Sequence, residues 1–257
     1  MTLHSVSLWA AAVIASGVFM AGCSEDSTTP SKAKTIIGEE IAMGGGKVRS
    51  WISLDDAGNP SAIGVTFGEA ALTGLSATSQ EFTLKLPAEK SMTPFDHMGF
   101  DWNPNGHEPD PIYTLPHFDA HFYTITQAER AAITGGPDFA TIDTLLLPAG
   151  FITGTDTAFA VPMMGVHYVD VTSGEFHGQM FDKTFIYGFS GLKPAFWEPM
   201  ITKADLEGRR TGGNSSTEIK QPRKYPTAGL YYPTFYDVKY DATAKEYTIS
   251  LTKCMKR

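Results

Sequence analysis

The stretch that most constrains this chain is Asp101–Tyr123, DWNPNGHEPDPIYTLPHFDAHFY, because its last eight residues alternate in chemistry with a period of two. Extended backbone sends successive side chains to opposite sides. His117, Asp119, His121 and Tyr123 therefore share one face of a predicted strand, and Phe118, Ala120 and Phe122 share the other. A strand that buries an aromatic face holds its opposite face rigid, as metal ligands or acid–base groups require.

Strand geometry limits which of these groups can act together. At a rise of about 3.3 Å per residue, same-face neighbours lie about 6.6 Å apart, so His117 with Asp119, or Asp119 with His121, can share one cation. His117 and His121 are about 13 Å apart by the same rise, too far for one compact shell unless a bulge bends the strand. A closed shell needs ligands from elsewhere, and His107, Glu108, His167 and Glu198 are the candidates. The metal-ligand set is thus drawn from His107, His117, Asp119, His121 and His167, a nitrogen and oxygen donor set suited to a divalent transition metal, with zinc favoured. Glu108 and Glu198 are the candidate catalytic carboxylates, as general base or as support for a ligand. Glu198, between Trp197 and Pro199, reads equally as a ligand, a base of raised pKa or the partner of a buried cation. Met163 and Met164 offer thioethers to copper, although adjacent residues face opposite ways on a strand. The alternative to all of these is a satisfied layer of histidine–carboxylate hydrogen bonds that orders the sheet and has no chemistry.

The start of the chain speaks to cell address. Met1–Cys23 contains no Asp, Glu, Lys or Arg, and Leu8–Met20 is an apolar core of signal-peptide length. Met20-Ala21-Gly22-Cys23 resembles the end of a bacterial lipoprotein signal, which implies removal of residues 1–22 and lipid attachment at Cys23. Ser24 after the cysteine implies the outer membrane. Residues 23–34, polar and without periodic apolar positions, read as a flexible tether.

Composition sets the remaining bounds. Some 235 residues follow the leader, 42% of the chain is hydrophobic and the net charge is −8. One β-rich domain over 35–257 fits that length, and an acidic exported chain is a poor nucleic-acid partner. With Cys23 lipidated, Cys254 is left alone near what reads as a frayed end, so no intrachain disulfide can form. Stability then rests on packing or on assembly into a homo-oligomer.

Turn and strand signals fill in the body. A hairpin is predicted around Ala57–Pro60, a short helix over 70–75, a strand over 82–86, and irregular backbone from Lys90 to Pro116, carrying His97, Trp102, His107 and Glu108. Thr126-Gln127-Ala128-Glu129 is a capping box opening a helix to about Ile133. A second helix is predicted over 138–147, a strand over 161–170, and a hairpin over 183–200 turning at Ser190-Gly191. A helix over 203–207 stops at Gly208, a loop spans 208–224, and strands follow over 231–240 and 246–251. No phosphate loop, GxSxG, HExxH or zinc-ribbon spacing is present.

The segments DWNPNGHEP, PHFDAHFY, PMMGVHYVD and FIYGFSGLKPAFWEPMIT, in that order, resemble a family of exported bacterial proteins of unknown function. That family is represented by a Thermus protein under extracytoplasmic sigma-factor control. The resemblance spans roughly Gly44–Asp205 and implies an α+β fold with a prominent sheet and an extracytoplasmic setting. It brings no assigned reaction and no catalytic residue.

These readings converge on an α+β, β-rich single domain, mainly antiparallel sheet or split barrel with a few short helices. It is expected to be anchored in the cell envelope through lipid on Cys23, to hold a divalent metal, and to act on an unidentified small molecule by metal-assisted hydrolysis. The other expectation is a non-catalytic envelope protein with a structural His/Asp layer.

Overall fold

Alternating apolar positions in most strands produce two antiparallel sheets that share a core. The computed structural model describes residues 1, 33–135, 142–154 and 160–257. The expected leader, Cys23 and nearly all of the tether lie outside the described residues, as do residues 138–141 of the second predicted helix. Lys34, the last residue of the expected tether, already begins the first strand.

Among the described residues, one sheet contains β1 (Lys34–Met43), β2 (Gly46–Leu54), β3 (Pro60–Gly68), β12 (Ser215–Glu218), β14 (Phe235–Asp241) and β15 (Glu246–Thr252). Its order is β1-β2-β3-β15-β14-β12. The other contains β4 (Gln80–Lys85), β5 (His97–Asn103), β6 (His117–Tyr123), β7 (Phe151–Ile152), β9 (Gly165–Asp170), β10 (Lys183–Ser190) and β11 (Lys193–Thr202). Its order is β4-β5-β6-β11-β10-β9-β7, and β8 (Ala160–Val161) joins it by pairing with β9. β13 (Tyr231–Tyr232) pairs with β16 (Met255–Lys256).

The inner faces of the two sheets form one continuous cluster. Val65, Phe67 and Ile249 come from the first sheet, and Phe100, Phe118, Phe122 and Trp197 from the second. Phe67 bridges them, its ring 5.4 Å from Phe100 and 5.9 Å from Phe118. Phe118, Ala120 and Phe122 thus take the inward role their spacing predicts. Yet every residue of β5 and of β6 is buried. The polar face of β6 points away from the shared core and is covered in its turn, partly by a smaller cluster that includes Tyr113, Phe181, Ile186, Phe196 and Met200.

The fold is mostly β. Two short α-helices are present among the described residues, α1 (Gln127–Ala131) and α2 (Lys203–Gly212), and neither sheet closes on itself, so the structure supports the antiparallel, β-rich part of the expectation and not the split barrel. The predicted capping box is present: Glu129 N donates to Thr126 Oγ1, and Glu129 Oε2 accepts from Thr126 N. The helix ends earlier than predicted, at Ala131. Where a helix was predicted over 138–147, the described part is a single 3-10 turn at Thr144–Leu146.

α2 runs past Gly208, where the prediction stopped it. One glycine costs a helix only about 1 kcal/mol. The Asp205–Arg209 ion pair crosses that position, the Lys203–Glu207 pair supports the turn before it, and Arg209 and Arg210 lie in the last turn, where cations favour the helix dipole. The predicted 208–224 loop therefore holds the end of α2 and all of β12. The C-terminus is likewise paired: Cys254 N donates to Ser61 O, and burial pushes the Cys254 thiol up to about 12.

One close approach ties the sheet to its polar face. Gly188 of β10 stands opposite Phe196 of β11, and a Cβ at Gly188 would lie 2.0 Å from the Phe196 ring. That ring is fully buried and packs 4.8 Å from His121 and 5.0 Å from His167. Gly188→Ala is expected to destabilise the protein by about 1–3 kcal/mol through overpacking, measured by denaturant titration. An unchanged midpoint would mean that Phe196 is not confined.

Candidate metal centre

β6 sits between β5 and β11, and the registers bring their outward-facing residues side by side. Asp101 of β5 is directly opposite Asp119 of β6, and Asn103 is opposite His117. On the other flank Met200 is opposite Asp119 and Thr202 opposite His117. The same spacing sets Glu198 beside His121. β10 intervenes, and Gly188, whose lack of a side chain leaves room, pairs with His167 of β9. Residues far apart in sequence thereby meet over one cavity of about 220 Å³, lined by Asp101, Asn103, His107, Glu108, Asp119, His121, His167 and Glu198. Pro109, Tyr113, Val161, Met164, Val169 and Ile186 form its apolar wall.

β5 was not expected. Pro94 and Pro104 mark the region as irregular, but between them His97, Gly99, Asp101 and Asn103 alternate with Met98, Phe100 and Trp102. That period of two was the available signal, and reading it would have placed Asp101 and Asn103 in the site. Instead neither was identified as a candidate.

The loop after β5 brings His107 back over the sheet. Gly106 adopts φ +67°, and a Cβ there would lie 2.0 Å from Tyr113 O. His107 N donates to that same carbonyl at 3.0 Å, closing the turn. His107 and Glu108 therefore lie on irregular backbone beside the cavity, whereas His97 and Trp102, expected on the same loop, are on β5.

The titratable groups form two sets. In the first, His107 Nε2 is 3.2 Å from Asp119 Oδ2, and His117 Nε2 is 3.1 Å from Asp119 Oδ1. Asn103 Nδ2 donates to Asp119 Oδ2 at 2.7 Å. The outer nitrogens of both imidazoles are committed: His107 Nδ1 is 2.7 Å from Glu108 O, and His117 Nδ1 is 2.7 Å from Leu115 O. A carbonyl only accepts, so each Nδ1 carries the proton and, in a neutral ring, each Nε2 turns a lone pair toward Asp119. Lone pair facing carboxylate is repulsive unless a proton or a cation lies between them. His117 Nε2 and Asp119 Oδ1 are buried, and neither makes a hydrogen bond.

In the second set, His121 Nε2 is 3.3 Å from Glu198 Oε1, and His167 Nε2 is 4.0 Å from Glu198 Oε2. Asp101 Oδ2 lies 3.3 Å from His121 Nδ1. His107, His117 and Asp119 on one side, and His121, His167 and Glu198 on the other, each bring ligand atoms within 4.8 Å of one another. His117 and His121 fall into different sets, as their separation along the strand requires. Distances of 3.1–3.3 Å suit two ligands of one ion: with metal bonds of about 2.0–2.1 Å, tetrahedral neighbours stand about 3.3 Å apart.

Electrostatics make this face costly. Asp101, Asp119 and Glu198 are at most 5% exposed. Among the described residues their ion-pair partners are histidines, and the nearby Arg130 is engaged by Glu81. Burying an aromatic side chain such as Phe118 gains about 1.5–3 kcal/mol. An uncompensated buried ion costs several. Each bare carboxylate would therefore cancel the gain from one or more buried aromatic side chains, a cost that protons or metal ions remove by neutralising it.

The pKa shifts record that demand. For His107, burial opposes the charge, but Asp119 outweighs it and holds the imidazole up at about 9. His121 is likewise opposed by burial and raised to about 9 by Glu198 and Asp101. Burial pushes Glu198 up to about 8 and Asp101 up as well, whereas His117 and His107 overcome burial to hold Asp119 well below the carboxylate range.

Comparison with known families places residues 55–102 in a match to the family described as TTHB210-like, Hypothetical protein TTHB210. The likeness supports the expected relation to a Thermus family of unknown function, over a shorter stretch than Gly44–Asp205, and ends inside β5 before the histidine segments. Comparison with curated proteins and with solved structures finds no match.

A pH dependence follows for the metal-free chain. His107 and His121 are raised above 6.5, so their stabilisation is complete below about pH 6.5 and is lost as pH rises through about 9. Glu198, raised from 4.5 to about 8, acts in the same direction from lower pH. Asp119, lowered, contributes above about pH 4 and loses its contribution on further acidification. Metal-free protein should thus lose stability steadily from about pH 5 to pH 9 in denaturant titrations at fixed ionic strength. A rise over that range would contradict the assignment.

Proposed function

We propose that this chain is an exported lipoprotein of the bacterial cell envelope that binds a divalent transition metal, zinc by donor type, through His107, His117 and Asp119. The observation that carries the reading is the arrangement of His117 and His107. Each has Nδ1 tied to a backbone carbonyl and Nε2 directed at one buried carboxylate. Such outer contacts orient imidazoles for a metal and raise their basicity. Asn103 steadies Asp119 from the side.

Metal-assisted hydrolysis is the activity proposed for this site. A bound divalent ion would supply Lewis acidity toward water or a carbonyl. The chain supplies the surroundings. Glu108, exposed on the cavity rim, is placed to exchange a proton with solvent. The apolar wall of Val161, Met164, Val169 and Ile186 suits the body of a small, largely apolar molecule whose polar end turns toward the histidines.

A second reading has its own support: His107 and His121 raised to about 9 would neutralise Asp119 and Glu198 with protons alone, as a purely structural layer. Elemental analysis by plasma mass spectrometry separates the two. Tag-free protein purified without chelator and reconstituted with zinc should carry tightly held metal, and Asp119→Asn should lose the metal of this set. No metal in the parent after reconstitution would establish the protonated layer instead.

The cell address rests on the leader and on Cys23 in Met20-Ala21-Gly22-Cys23. Cys23→Ala is expected to abolish incorporation of labelled fatty acid and to release the protein from membranes. Unchanged membrane attachment would refute lipidation.

A further inference from the structure

We propose that the cavity holds a second, separate metal position, formed by His121, His167 and Glu198 and backed by Asp101. The inference rests on the metal reading of the first set and extends it from one ion to two.

Charge accounting gives the first argument. One divalent ion between His107, His117 and Asp119 leaves Asp101 and Glu198 buried on either side of His121, with no lysine or arginine ion-paired to them among the described residues. Asp101 also stands directly opposite Asp119 across the β5–β6 ladder. Like charges so placed destabilise a sheet. The first ion answers the charge of Asp119, and a second cation beside His121 answers those of Asp101 and Glu198.

Unmet bonding capacity gives the second. His121 is 1% exposed, and neither of its nitrogens makes a hydrogen bond. The same is true of Glu198 Oε2 and of both oxygens of Asp101. Buried polar atoms are rarely left this way. The pattern is that of groups disposed for coordination rather than for hydrogen bonding to one another. Asp101 beside Nδ1 and Glu198 beside Nε2 form a carboxylate–imidazole–metal alignment, in which Asp101 is a positioning residue.

Separation gives the third. Asp119 and His121 are two residues apart on β6, so their backbones stand about 6–7 Å apart, and the two sets share no residue. Ions bridged by a shared ligand in two-metal sites sit about 3.5–4 Å apart. The two positions are therefore independent, each with its own carboxylate and its own pair of histidines. They also differ in what backs the imidazoles, backbone carbonyls in the first and a carboxylate in the second.

The test is zinc stoichiometry on the full mature protein, by plasma mass spectrometry and by competition with a chromophoric chelator. The parent should hold two equivalents. Asp119→Asn should hold one, and so should His167→Ala and Glu198→Gln. Asp101→Asn should weaken one equivalent about 10–100-fold and leave the other unchanged. His167 is partly exposed, so His167→Ala keeps the test valid if the Glu198 variant fails to fold. A parent with one equivalent that Asp119→Asn removes and His167→Ala does not would overturn the second position while leaving the first intact. One equivalent lost in both variants would mean a single shared ion, and overturns the inference as well. A parent with no zinc would remove both positions together.

Discussion

Asp119 accepts from Asn103, faces His107 with the same oxygen and meets His117 with the other, all on a strand with no solvent-facing side. A carboxylate so buried loses most of its bulk hydration, so its surroundings have to supply the compensation that water otherwise would. Three strands contribute to that end. β5 delivers Asn103 and Asp101, β6 the His/Asp/His row, and β11 Glu198, while the turn closed by Gly106 lowers His107 onto the set. Loss of any one register would move its ligands by a residue and turn them to the wrong face.

The two faces of the second sheet illustrate a division of labour. Its inner face is conventional, with Phe100, Phe118, Phe122 and Trp197 packed against Phe67 and its neighbours. The gain there is in apolar burial. The outer face gains little from hydrophobicity and depends on neutralised charge, under a cover that includes Tyr113, Phe181 and Phe196. That cover keeps the local dielectric low, which strengthens every attraction between histidine and carboxylate and makes any unpaired member more costly. A rigid inner face and a charged outer face are coupled because alternate residues of the same strands build both.

Legibility in the sequence followed physical range. The alternation of PHFDAHFY, the capping box at Thr126 and the hairpin at Ser190-Gly191 are local signals, and each has its counterpart in the structure. β5 was hidden because Pro94 and Pro104 suggested irregular backbone, although proline restricts only itself and the residue before it, which it pushes toward the extended conformation, so the nine residues between can still form a strand. The continuation of α2 through Gly208 and the ordering of β12 depend on an ion pair and ladder partners that propensity does not weigh. Asp101 was overlooked for the same reason as β5, since a carboxylate on a presumed loop gives no cause to expect burial.

By itself the sequence determined that a His/Asp/His row would occupy one face of a rigid strand and that, on a strand without a bulge, His117 and His121 stand too far apart to serve one ion. Both follow from the fixed rise and period of extended backbone. Tertiary structure decided the partners: Asp101 through β5–β6 register, Glu198 through β6–β11, His167 across Gly188, and His107 through a turn. It also decided that the polar face would be buried, which no local pattern encodes, because burial depends on what the rest of the chain places on top. That burial is what turns a row of ordinary side chains into groups whose charge has to be neutralised by protons or by a metal ion.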